Sequence, residues 1–265
     1  MTYSVADIHG RLDLLLALLD QIEQDATARS ARAKIVFTGD YMDRGADSYG
    51  VVERLMAGPR RPEDRFLCLL GNHDELFVRS VTTGAGVPDW AWFLFAHTLE
   101  SYAGARDGRS MEARLRRHVD FLSALPLTHD DGRHLFVHAG IRPGRALAEQ
   151  EVEDLLWIRE PFLDHEGALP RRVVHGHTII GDRPVFKANR ISADTGAFRS
   201  GILTAIVLDG EEATFLQACG EPDQGAITRE RVLHEAVLTG NPPATLDRRP
   251  WLQRGDAALA PVSCP

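Results

Sequence analysis

Apolar positions in the first eighty residues fall into short runs divided by polar clusters, and three of these runs have the length of buried strands. They are Tyr3 to Ile8, Lys34 to Phe37 and Phe66 to Leu70. Each stops at a loop rich in glycine and acidic residues, and apolar residues at helical spacing follow. The first such helix spans Arg11 to Ala28 with Leu12, Leu15, Leu19 and Ile22 on one face, the second runs from about Tyr49 to Met56 and closes at Gly58-Pro59, and a third starts over Glu75 to Ser80. A strand, loop and helix repeated in this way predicts parallel units, and in sheets of that kind ligands collect at the carboxyl ends of the strands. All three polar loops are therefore expected on one edge.

The middle of the chain loses the strand pattern. Asp89 to Tyr102 carries Trp90, Trp92, Phe93, Phe95 and Leu99, and Met111 to Leu125 carries Leu115, Val119 and Leu122 on one face, so a helical insertion is expected over about residues 86–125. Its aromatics are read as helix-helix core, the alternative being that they line a ligand groove and stack a base, and Arg114, Arg116, Arg117 and His118 are read as a solvated basic face. Strands return after Pro126. Leu127 to His129 and His134 to Val137 flank the turn Asp130-Asp131-Gly132-Arg133 as a hairpin. A short helix over about Glu149 to Trp157 leads to further strands at Arg172 to Val174, Val185-Phe186, Arg190 to Ser192, Ile202 to Leu208 and Ala213 to Leu216. This half is expected to form a largely antiparallel or mixed sheet. From Gly220 the pattern fades into a 220–265 extension, with one helix expected over Glu230 to Leu238 and an extended, proline-rich end from Asn241 to Pro265.

Composition narrows the class. The chain of 265 residues is 44% hydrophobic and 26% charged, ordinary for a globular protein with a real core. A formal net charge of -8 argues against a general nucleic-acid binder, whose surface would have to attract a phosphate backbone. Cys68, Cys219 and Cys264 have neither paired nor zinc-like spacing, which fits a reducing cytoplasm. No signal peptide is evident at the N-terminus, and no apolar run reaches the roughly 20 residues of a membrane span, so no membrane association is expected.

The polar residues at the predicted strand ends form a set of their own: Asp7, His9, Asp40, Asn72, His138 and His177. Carboxylate, imidazole and amide oxygen suit divalent manganese, iron or zinc. These residues suffice for two metals if one carboxylate bridges, and Asp40 lies between the pair Asp7 and His9 and the trio Asn72, His138 and His177. Two dications roughly 3.5 to 4 Å apart can acidify a shared water and neutralise a phosphoryl group, which points to a phosphoesterase.

Five segments taken together, Asp7-Ile8-His9-Gly10, Gly39-Asp40-Tyr41-Met42-Asp43-Arg44-Gly45, Gly71-Asn72-His73-Asp74, His138-Ala139-Gly140 and His175-Gly176-His177-Thr178, resemble the signature series of the phosphoprotein phosphatase family of calcineurin-like metallophosphoesterases, bacterial type. The resemblance covers roughly residues 3 to 208. It implies an α/β fold, a four-layer α-β-β-α sandwich with a helical insertion, forming a catalytic domain over 1–219. It also implies two divalent metal ions, manganese first, bound by Asp7, His9 and Asp40 on one side and by Asp40, Asn72, His138 and His177 on the other. His73 would protonate the leaving oxygen, Asp43 would hold its imidazole, and Arg44 and Arg159 would clamp phosphate. His175 is expected in a supporting role. The implied substrate is a phosphoserine or phosphothreonine protein or a small phosphomonoester, and the alternative is a dinucleoside polyphosphate. Ala6 stands where the family usually has glycine, and Asp74 where the protein-phosphatase branch has glutamate, a form that also resembles dinucleoside tetraphosphate hydrolases.

Overall fold

The computed structural model describes residues 1–224. The helix expected over Glu230 to Leu238, the tail from Asn241 to Pro265, and Cys264 lie outside the described residues. Strand β1 (Thr2–Val5), helix α1 (Leu12–Ala28), β2 (Lys34–Phe37), α2 (Ser48–Met56), β3 (Arg65–Cys68) and α3 (Asn72–Thr82) make the three expected units. Helices α4 (Asp89–Gly104) and α5 (Met111–Ser123) form the insertion. The second half contains β4 (Thr128–Asp130), β5 (His134–Val137), α6 (Val152–Trp157), β6 (Arg172–His175), β7 (Val185–Phe186), β8 (Arg190–Ser192), the short α7 (Ala197–Ser200), β9 (Ile202–Asp209) and β10 (Glu212–Cys219). Among the described residues, no helix is long and apolar enough to cross a membrane.

The strands form two five-stranded sheets, in the orders β10-β9-β1-β2-β3 and β4-β5-β6-β8-β7. β1, β2 and β3 are mutually parallel, with Tyr3 opposite Ile35 and Ile35 opposite Phe66. The second half does not form one sheet as expected. β9 and β10 cross back to the first sheet and pair antiparallel beside β1, with Tyr3 opposite Val207. The physical reason is their apolar alternation, which has two buried sides to satisfy. Leu203, Ala205 and Val207 join the core beneath α1 and the insertion, whereas Ile206 and Leu208 face the other sheet. The second sheet is mixed, with parallel β5-β6 and β6-β8 pairs and an antiparallel strand at each edge.

Alternation also builds the layers. In β2, Ile35 and Phe37 point to the helical side and Val36 points between the sheets, where it meets Phe136, Val174, Ile191 and Ile206. Leu135, Val137 and Val173 face outward beneath Leu155, Ile158 and Phe162. The fold is the α/β four-layer arrangement, with unequal outer layers among the described residues: α1, α2 and α3 cover the first sheet with α4 and α5 packed on α2 and α3, and α6 with its flanking loops covers the second.

The insertion departs from its expected surface. Arg114 and His118, four residues apart on α5, are buried. Arg114 donates to Asp107 and to the carbonyls of Tyr102 and Ala105, while His118 lies between the Tyr102 hydroxyl at 2.7 Å and Glu53 at 2.8 Å. Helical spacing places this pair on the inward face beside Leu115 and Val119, leaving Arg116 outside.

Candidate active site

All the expected metal donors reach one edge, where the carboxyl ends of both sheets meet. β1 delivers Asp7 and His9, β2 delivers Asp40, and the first turn of α3 carries Asn72 and His73. This helix begins three residues earlier than its apolar pattern indicates, because Asp74 organises its start. Buried Asp74 accepts the backbone N–H groups of Asp40 at 2.8 Å, Tyr41 at 3.0 Å and Gly71 at 3.1 Å. The α3 terminus in turn offers the His73 N–H to Asp40 Oδ1 at 2.9 Å, so the helix dipole favours charge on Asp40. The approach is so close that a Cβ on Gly71 would lie 2.2 Å from the Asp40 nitrogen. The second sheet supplies His138 after β5 and His177 after β6.

Backbone strain concentrates here. Among the described residues, five of the six non-glycine residues with positive φ are site residues: His9 (45°), Asp40 (56°), Asp43 (67°), Arg44 (67°) and His177 (63°). Each such conformation costs on the order of 1–3 kcal/mol and persists only where the surroundings enforce it.

Hydrogen bonds fix which ring nitrogen faces inward. His9 Nδ1–H donates to the Met42 carbonyl at 2.7 Å and His138 Nδ1–H to the Thr38 carbonyl at 2.9 Å, which leaves each Nε2 with a lone pair turned into the site. His9 Nε2 lies 3.4 Å from Asp40 Oδ2 and 4.0 Å from Asp7 Oδ2. His138 Nε2 lies 2.7 Å from Asn72 Oδ1 and 3.5 Å from Asp40 Oδ1, and His177 Nδ1 lies 3.1 Å from Asn72 Oδ1. The donor set fits a cation on two grounds. First, Asn72 Oδ1 and His138 Nε2 are both acceptors, and burial pushes His138 down to about 3, so protonation does not relieve their contact. Second, Asp7, Asp40 and Asp194 are buried together. Burial, and then their mutual repulsion, raises Asp7 well above the carboxylate range, and burial raises Asp194 to about 6. His9, Asp40 and His73, and likewise Asp40, His138 and His177, offer ligand atoms within 4.8 Å of one another, so Asp40 is common to two candidate metal groups. Asp7 completes the edge by accepting the His177 N–H at 3.0 and 3.2 Å.

The residues expected to handle the proton also meet. His73 Nδ1–H donates to Asp43 Oδ2 at 2.8 Å, and the other carboxylate oxygen accepts the Thr98 hydroxyl of α4 at 2.5 Å. Arg44 reaches the site and bridges two imidazoles, donating to His9 Nε2 at 3.0 Å and His73 Nε2 at 3.3 Å, with its guanidinium 4.6 Å above the Phe198 ring. Arg159 stands apart at the rim, exposed, although its charge opposes protonation of His138 and His177. His175 is buried behind the site, donating from Nδ1 to the Gly176 carbonyl at 3.0 Å and accepting the Ser192 hydroxyl at Nε2 at 2.8 Å.

A family model for calcineurin-like phosphoesterases matches residues 3–201. The chain belongs to this family. Among calcineurin-like relatives, a symmetrical bis(5′-nucleosyl)-tetraphosphatase of Neisseria meningitidis is 28% identical across 86% of this chain and 99% of the relative. A protein of the same name from Janthinobacterium is 29% identical across 58% of this chain and 51% of its own length. Two solved structures share the fold. One is provisionally named a diadenosine tetraphosphatase (TM-score 0.59, 22% identity, 83% of this chain and 94% of that one), and the other is a cold-active protein tyrosine phosphatase (TM-score 0.53, 15% identity, 84% and 79%).

The calcineurin-like site also contains residues outside the five motifs, and one of them, Trp90, comes from the aromatic stretch whose alternative reading is a ligand groove. Trp90, from α4, lies 6.0 Å from the His73 ring and 6.3 Å from Trp157, which in turn lies 6.1 Å from His177. The two half-buried indoles thus wall the mouth of the site. Asp194 and Phe198 enter from the segment before β9. Asp194-Thr195-Gly196-Ala197 was the signal available for them, whereas Thr98 and Trp90 sit in a helix whose pattern reads as core.

Proposed function

We propose that this chain is a metal-dependent hydrolase of dinucleoside polyphosphates that splits a bis(5′-nucleosyl) tetraphosphate symmetrically into two nucleoside diphosphates. The observation that carries this reading is the Trp90 and Trp157 wall beside the candidate metal groups, which offers aromatic faces to a nucleobase. The tetraphosphatase name of the relative matched over nearly its whole length supports the same substrate class. The first expectation from sequence, phosphoserine and phosphothreonine proteins, gives way to the alternative on these grounds.

Two divalent cations, when bound by Asp7, His9, Asp40, Asn72, His138 and His177, supply an acidified water and neutralise phosphoryl charge. The chain's own residues do the rest. Arg44 turns from the imidazoles to grip a phosphate oxygen in the fork geometry for which guanidinium is suited, and Arg159 closes on the chain of phosphates from the rim. His73 gives a proton to the leaving oxygen from Nε2 while Asp43 keeps its Nδ1 protonated and its ring oriented. A phosphoanhydride leaves as a phosphate oxyanion, a far better leaving group than an alkoxide, so His73 has less to supply here than in a protein phosphatase.

The test is product analysis of diadenosine tetraphosphate against a phosphothreonine peptide, using protein reconstituted with manganese and then treated with chelator. Two molecules of ADP, formed faster than phosphate is released from the peptide and abolished by chelation, are expected. Faster turnover of the peptide would reinstate the protein-phosphatase reading, and chelator-resistant turnover would refute the metal dependence.

A further inference from the structure

The insertion helix reaches into the proton-transfer machinery at one point. Thr98 is fully buried at the middle of α4, and its hydroxyl donates to Asp43 Oδ1 at 2.5 Å. The Asp43 carboxylate is itself buried, and its two oxygens are divided between Thr98 and His73 Nδ1. Its backbone N–H is taken by the Ser48 hydroxyl at the start of α2. A carboxylate held by one oxygen alone can rotate about its last torsion, and a buried acceptor left without a donor pays for its lost hydration. Trp90 approaches His73 from the same helix, so α4 contacts both members of the Asp43 and His73 pair.

We infer that Thr98 is a positioning residue: its hydroxyl fixes the Asp43 carboxylate plane, which sets the direction in which His73 Nε2 presents its proton to the leaving oxygen. This rests on the reading of His73 as proton donor. The insertion is then a functional part of the site as well as packing, since it carries the far end of the hydrogen-bonded chain Thr98, Asp43, His73.

The experiment compares Thr98→Val, Thr98→Ser and His73→Ala in the full chain. Turnover is measured on diadenosine tetraphosphate and on aryl phosphates of graded leaving-group acidity, alongside metal content and Tm. With protein loaded with zinc, which is diamagnetic, the downfield proton resonance of the His73 Nδ1–H is followed, its loss in His73→Ala providing the assignment. Thr98→Val is expected to lower kcat about tenfold on the poorest leaving groups and little on the best, with KM and metal content unchanged and the Nδ1–H resonance shifted or broadened. Thr98→Ser is expected to restore both. An unchanged resonance in Thr98→Val overturns the proposal, as does an equal loss in the Val and Ser variants. If His73→Ala slows all leaving groups alike, the proton-donor reading falls, and the resonance still decides separately whether Thr98 holds the pair.

Discussion

Replacing Trp90 by alanine tests whether the aromatic wall recognises a nucleobase. Stacking of a base on an aromatic side chain is worth about 1–3 kcal/mol, or roughly 5- to 150-fold in an equilibrium or specificity constant. Trp90 is half-buried, with part of its surface against His73, Trp157 and the helical core, so only the remainder is available to a base. That places the expected loss near the lower end of the range, about tenfold in kcat/KM for diadenosine tetraphosphate. A small phosphomonoester has no base to stack, and its kcat/KM is expected to change by less than about twofold. Trp90→Phe keeps an aromatic plane and should recover most of the loss. The assay is steady-state hydrolysis of both substrates by wild-type and variant proteins of matched metal content. A similar loss on both substrates would refute the stacking argument and reduce Trp90 to a packing partner of His73.

The other expectations test the supporting parts of the site. His175 is buried and lowered to about 4 from an ordinary value of 6.5, chiefly by burial, so the unfolded chain takes up a proton there before the folded one does. Its contribution to stability is therefore present above about pH 6.5 and declines as pH falls towards 4; urea unfolding with chelator present should show His175→Gln losing about 2 kcal/mol less than wild type between pH 7 and pH 5. A Cβ on Gly176 would lie 2.1 Å from Asp7 Oδ1, so Gly176→Ala should displace that carboxylate and reduce bound metal, measured by mass spectrometry, and full metal retention would show that Asp7 has slack. Arg44 lies against His9, His73 and Phe198, whereas Arg159 is exposed, so Arg44→Ala should lower kcat/KM at least about tenfold more than Arg159→Ala, and the reverse order would move the phosphate clamp to the rim.

The convergence of the candidate metal donors was legible because each is a polar residue at the end of an apolar run, and Asp7, Asp40, His138 and His177 interrupt such runs visibly. The parallel order of β1, β2 and β3 was legible for the same reason. The return of β9 and β10 to the first sheet was not, since alternation states that both faces are buried without stating against what. Nor could helical spacing separate Thr98 and Trp90 from the core residues Leu94, Phe95 and Leu99 that surround them in α4. Burial and function demand the same apolar periodicity there, and only the position of Asp43 and His73 in space tells them apart. Arg114 and His118 failed for the converse reason. Charge suggests solvent, but an arginine whose three guanidinium nitrogens each find a carbonyl or a carboxylate can be buried at modest cost.

The edge where the two sheets meet has a consequence for how the protein is made. The donors begin at Asp7 on the first sheet and end at His177 beyond β6, and the first sheet is not complete until β9 has threaded back beside β1. A chain emerging from the ribosome therefore holds no complete cation cradle until most of it has been synthesised, and proteolytic cleavage between the sheets separates the donors into two partial sets. Hydrolysis thus reports on assembly: turnover measured during refolding should appear with the closing of the first sheet, after the β1 to β3 units have already gained their secondary structure.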